Sequence, residues 1–96
     1  MFEIGFNEQG AVTVSGRLDA AHAPAAQEFL DTVEGACVVD MAALDYISSA
    51  GLGVLLRTHK RLMSVNSGLE LVNVNPHITD ILRYSGFDRL FVISCQ

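Results

Sequence analysis

The stretch Ala36-Cys37-Val38-Val39-Asp40, followed after a short interval by Ser49-Ala50-Gly51-Leu52-Gly53-Val54-Leu55-Leu56, decides the fold class. Its first five residues are short, apolar and rich in β-branched side chains, the composition of a strand covered on both faces and central in a sheet. Downstream, Leu52, Leu55, Leu56, Leu62 and Met63 recur at helical spacing, with Arg57, Lys60, Arg61 and Ser64 opposite them and Gly68 beyond. That pattern predicts a helix from Ser49 to Val65. Met41 to Tyr46 then read as the connection between the two.

Working outward, Phe2, Ile4 and Phe6 alternate with other residues, Asn7 to Gly10 supply a turn, and Val12, Val14 and Gly16 alternate again, which predicts two strands. Pro24 suits a first helical turn, and Ala26, Phe29, Leu30 and Val33 share one face, so a helix is predicted over Pro24 to Val33. Leu69 to Val74 reads as a strand. Asn75-Pro76 reads as a cap and first turn, Ile78, Ile81 and Leu82 as the buried stripe of a helix ending at Gly86, and Leu90 to Ile93 as a last strand. The order β-β-α-β-α-β-α-β is that of an α/β domain with a mixed, mostly parallel sheet of four or five strands and about three main helices.

The chain has 96 residues, half of them apolar, enough for one core and one domain over residues 1–96. No apolar run approaches the ~18 residues that suggest a membrane span. The first residues lack a basic start and a long apolar segment, so a soluble, cytoplasmic protein is expected. Eleven acidic against six basic side chains, a formal charge of -5, argue against nucleic acid and anionic lipid as direct partners and for a protein with a basic surface. Cys37 and Cys95 lack metal-ligand spacing and read as one buried and one frayed thiol. His22, His59 and His77 lack the spacing a zinc site needs, so neither metal nor cofactor is expected.

Function is concentrated at one junction. The run Leu44-Asp45-Tyr46-Ile47-Ser48-Ser49-Ala50-Gly51-Leu52-Gly53 sets two hydroxyls and two glycines between a strand and the best helix. A serine at a helix start caps a free backbone N–H, which accounts for one of the two. The glycines are costly in a helix, at about 0.5–1 kcal/mol each, and suggest backbone left open to close approach. An exposed hydroxyl there suits a substrate serine that enters another protein's active site.

The segment Asp45-Tyr46-Ile47-Ser48-Ser49-Ala50-Gly51-Leu52-Gly53-Val54-Leu55 resembles the signature of STAS-domain anti-sigma factor antagonists. Gly16-Arg17-Leu18-Asp19 resembles the family's Gly-x-Leu-Asp at the end of the second strand, and Ser85-Gly86-Phe87 a third, weaker feature. The resemblance extends to length and element order. It implies phosphorylation two positions before the first glycine, at Ser49, with Ser48 the alternative, because many members carry Asp where Ser48 stands. It further implies a partner-switching cycle. The unmodified protein binds an anti-sigma factor, usually also a GHKL-type serine kinase, and so frees a sigma factor; phosphorylation ends the binding and a PP2C-type phosphatase restores it. Asp19, Ser48, Ser49, Ala50, Gly51, Leu52 and Gly53 are then the residues expected to meet the kinase.

Asp19 reads equally as a turn or cap. Arg57, His59, Lys60 and Arg61 read as the solvated face of their helix rather than an anion-binding strip. Neither a Gly-x-Ser-x-Gly elbow nor a phosphate loop is present, so no enzyme activity is expected. Two rival readings remain: a structural STAS subunit of a stress-signalling assembly or a lipid-transport ATPase, and, less favoured, a hydrolase using Ser49 with Asp45 or His59 as base.

Overall fold

The structure, a computed structural model, describes residues 1–95, and the side chains of residues 1–94. The expected fraying of the Cys95 thiol therefore lies outside the described residues. The elements are β1 (Phe2–Phe6), β2 (Val12–Leu18), α1 (Ala23–Leu30), β3 (Cys37–Ile47), α2 (Ser49–Met63), β4 (Leu69–Val74), α3 (Pro76–Tyr84), a 3-10 turn at Phe87–Arg89, and β5 (Val92–Cys95). Five strands form one sheet in the order β1-β2-β3-β4-β5. Among the described residues only the β1–β2 hairpin is antiparallel. The element order and mixed sheet agree with the sequence reading.

The largest departure lies in β3. Met41 to Tyr46, expected as a connection, belong to an eleven-residue strand. Val12 and Thr13 face Val39 and Asp40, Ser15 and Gly16 face Ala43 and Leu44, and Arg17 and Leu18 face Tyr46 and Ile47. β3 therefore gains one residue on β2 at each of two bulges. A bulge inserts an extra residue and shifts the alternation of side chains across the sheet. Met41, Leu44 and Ile47, three apart, consequently all enter the core. Their spacing of three hid the strand from a period-two reading.

Nor is β3 covered on both faces. Cys37, Val39, Met41, Leu44 and Ile47 are buried, while Val38, Ala42 and Asp45 are exposed. Each parallel crossover steps to the next strand in the same direction, and crossovers of one hand then place α1, α2 and α3 on a single face. The core lies between that face and the helices, from Val12, Val14 and Leu18 through Leu55 and Leu62 to Ile78 and Leu82.

Helix ends differ for local reasons. α1 stops at Leu30 rather than Val33 because Thr32 and Val33 donate to the Phe29 and Leu30 carbonyls, a tighter winding. α2 stops at Met63 rather than Val65. Asn66 takes the left-handed conformation at φ 61° and Ser67 N–H closes on the Leu62 carbonyl at 2.9 Å, so Asn66, not Gly68, terminates the helix. Gly68 serves instead to admit the His59 ring, whose Cε1 lies 2.9 Å from where its Cβ would be. β5 starts at Val92 rather than Leu90, since Leu90 N–H closes the 3-10 turn on Phe87.

The basic strip on α2 is only partly solvated. Arg61 donates through Nη2 to the Leu30 and Val33 carbonyls at 2.9 and 2.7 Å, adding a second donor to Leu30, which already accepts the Val33 N–H, and a charged one to Val33 just past α1. Arg57 Nε donates to Gln27 Oε1 at 3.1 Å, and His59 Nδ1 accepts the Leu69 N–H at 3.0 Å. The two helices are thus tied by polar contacts as well as packed. Urea unfolding of Arg61→Met is expected to show a loss of about 1–2 kcal/mol, the range for charge-assisted bonds with some solvent access. An unchanged midpoint would mean that water serves those carbonyls equally well.

Candidate functional site

The candidate site lies at the carboxyl edge of the parallel strands, where α2 begins. β2 and β3 end level with each other, Leu18 opposite Ile47, and Ser48 N–H donates to the Leu18 carbonyl at 3.0 Å. The Gly16-Arg17-Leu18-Asp19 segment and the Ser48-Ser49 junction, thirty residues apart in sequence, are thereby neighbours.

The two serines divide two roles. Ser48 has extended backbone angles, φ -94° and ψ 175°, and its Oγ accepts the Gly51 N–H at 3.3 Å, so it is the N-cap of α2. Ser49 is the first helical residue and is exposed, and its hydroxyl has no hydrogen-bond partner among the described residues. The hydroxyl left over from capping is the one at the surface.

The glycines have unlike reasons. A Cβ on Gly51 would lie 2.6 Å from the Leu18 carbonyl oxygen and 2.8 Å from side-chain carbons of Leu18 and Ile47. The close approach inferred from the sequence is therefore made by the domain itself. A Cβ on Gly53 would meet only the far end of the Arg57 side chain, at 3.1 Å from Nη1. Gly51 and Leu52 are buried within the domain. Leu52 already belonged to the apolar stripe of α2. The surface of the site is made by Ser48, Ser49, Ala50, Gly53 and Asp19, with Ala50 partly packed on the core.

Asp19 sits at the start of the turn into α1. Its Oδ1 accepts the His22 Nδ1–H at 2.8 Å and the His22 backbone N–H at 3.2 Å, while Arg17 Nε lies 3.9 Å from Oδ2. Partial desolvation pushes the carboxyl up. The bonds from the His22 ring and backbone, the His22 charge and the Ala21 N–H together outweigh it, so Asp19 titrates below the ordinary carboxylate range. Phe2 stacks on the His22 ring at 5.4 Å, and the Arg17 guanidinium lies 4.3 Å above the Tyr46 ring. Asp19 thus has the turn role foreseen for it and still leaves 28% of its side chain exposed.

Of the bases considered for a Ser49 nucleophile, one is remote along the helix. His59 is ten residues along α2, about 15 Å of helix rise, and its Nδ1 lone pair is occupied by Leu69 N–H. Asp45 stands on the exposed face of β3. Asn75, not singled out from the sequence as more than a cap, does two things: its Oδ1 accepts the Ile78 N–H and its Nδ2 donates to the Leu44 carbonyl at 3.0 Å. That bond ties the start of α3 to β3 beside the site. Among the described residues no group of His, Cys, Asp and Glu is placed to hold a metal ion, and no helix is long and apolar enough to cross a membrane.

Residues 4–93 match the family model described as Mlab, STAS domain. The chain is 40% identical over 65 residues to BtrV of Bordetella bronchiseptica, a protein named for anti-sigma factor antagonism, a match covering 68% of this chain. It spans only 56% of the length of that relative. A STAS-domain containing protein of Pseudomonas aeruginosa is 33% identical over 86% of this chain and 85% of its own length. In three dimensions the crystal structure of an anti-sigma factor antagonist from Mycobacterium paratuberculosis superimposes with a TM-score of 0.79, covering 100% of this chain and 86% of the other at 24% identity. That likeness is one of fold.

The division of labour at the junction is open to measurement. Ser48→Ala should cost about 1 kcal/mol of stability through the lost cap, whereas Ser49→Ala should cost less than about 0.5 kcal/mol. Denaturant midpoints that moved equally in both would contradict it. The glycines should likewise part company. Gly51→Ala should destabilise by about 1–3 kcal/mol through overpacking, and Gly53→Ala should be neutral or stabilising by up to about 1 kcal/mol, since Arg57 can yield. Thermal melts of the two variants decide the matter.

Proposed function

The chain belongs to the STAS-domain family, and from that premise we propose that it is an anti-sigma factor antagonist whose binding is switched off by phosphorylation of Ser49. The observation that carries this reading is the exposed, unbonded Ser49 hydroxyl beside a serine already committed to capping. The names of its relatives supply the partner class, an anti-sigma factor. The protein itself performs no chemistry in this scheme.

A GHKL-type kinase bound to the antagonist would transfer the γ-phosphoryl group of ATP to Ser49 Oγ. The new O–P bond replaces the bond to ADP, which departs, and the hydroxyl proton passes to a base of the kinase. A PP2C-type phosphatase would hydrolyse the ester, returning the serine and inorganic phosphate. Phosphate adds about -1.5 to -2 charges at neutral pH, and at a helix N-terminus that charge is favourable to the helix. The domain therefore stays folded, and the loss falls on the partner interface, where bulk and charge arrive next to Asp19. Cytoplasmic action follows from the same partners.

Incubation with the cognate kinase and ATP, followed by mass spectrometric mapping, is expected to place one phosphate on Ser49 and none in Ser49→Ala. Ser48→Ala should remain a substrate. Phosphate on Ser48, or undiminished incorporation in Ser49→Ala, would sink the assignment. Binding to the anti-sigma factor that is indifferent to Ser49 phosphorylation would leave the reading of a structural STAS subunit in its place.

A further inference from the structure

We propose, building on the assignment of Ser49 as the modified serine, that Arg57 is the internal receptor for its phosphate and that Gln27 of α1 holds Arg57 ready for it. Ser49, Gly53 and Arg57 follow at four-residue spacing on α2, so neighbouring Cβ positions along this stripe are about 5–6 Å apart. Long side chains on a helix turn back toward its N-terminus. Arg57 does so, with Nη1 3.1 Å from the point a Gly53 Cβ would occupy, one turn short of Ser49. A larger residue at position 53 would stand between the guanidinium and the serine.

The guanidinium is anchored at one corner and free at the others. Nε donates to Gln27 Oε1 at 3.1 Å, and Gln27 Nε2 is itself tied to Asp31 at 3.0 Å and to the buried Thr58 hydroxyl at 3.3 Å. The two terminal nitrogens have no partner among the described residues. A planar fork of free N–H donors is the arrangement that binds phosphate in a bidentate manner, and fixing it beforehand reduces the entropy lost on pairing. Other charged groups at this corner are already engaged: Asp19 with His22 and Arg17, and Asp31 with Gln27. Glu28, on α1, is exposed.

Phosphate folded back over Gly53 onto Arg57 occupies the one strip of the junction that has no side chain of its own. The modified protein then differs from the unmodified one in the shape of this face as well as its charge. Pairing also offsets part of the charge of about -1.5 to -2 that a phosphate adds to a domain of net charge -5.

The test introduces phosphoserine at position 49 by genetic code expansion, so that it needs no kinase, and follows its second ionisation by phosphorus NMR. Arg57→Gln should raise the apparent pKa of the phosphate by about 0.3 units or more, the shift expected for losing an exposed ion pair. Gln27→Ala should produce part of that rise. Lys60→Gln removes the same charge from α2 about 16 Å along the helix from Ser49 and should leave the value unchanged. Equal values in wild type and Arg57→Gln, or an equal rise in Lys60→Gln, would overturn the proposal. A kinase that ignores Ser49 would defeat the functional reading while leaving this result intact.

Discussion

The junction rests on the contact between the first turn of α2 and the last residue of β2, where the Leu18 carbonyl, accepting the Ser48 N–H, lies too close to Gly51 for even a methyl group to intervene. A hydrogen bond of 3.0 Å and a missing Cβ together set where α2 begins relative to the sheet. That position puts Asp19 beside the serines. It also sends the Leu52, Leu55 and Leu62 stripe into the core, because the helix has one rotational setting once its first turn is pinned.

Further down, α2 is tied to α1 by groups that never meet in sequence. Arg61 closes the end of α1, and Gln27 bridges Arg57 and Thr58. These bonds cross the helix pair at a separation of about thirty residues, the length of one helix-and-strand crossover in this fold. The two helices therefore behave as one layer on the single covered face of the sheet.

The alternation of strands and helices was legible in the residues because each element carries its own period. Gly86, at φ 78°, ends α3 as foreseen, and Asn75 caps it. The middle of β3 was not legible, since two bulges replace the period of two with steps of three at Met41, Leu44 and Ile47. Bulges are defined by the partner strand, which a linear reading does not contain. The same holds for the open face of the sheet, which depends on all three crossovers having one direction.

At the site, the sequence alone determined that a hydroxyl stands at a helix start and that two glycines accompany it, because capping and helix propensity are properties of neighbouring residues. Membership of the STAS family was likewise visible in the run from Asp45 to Leu55, and residues 4–93 bear it out. Only the tertiary structure decided which serine is free, since Ser48 is taken by the Gly51 N–H. It alone separated Gly51, required by Leu18, from Gly53, which leaves room for Arg57. The cap on Ser48 and the reach of Arg57 over Gly53 are local to α2, but they follow from where the helix begins, and the contact of Gly51 with Leu18 that sets this joins distant parts of the chain and exists only once it has folded.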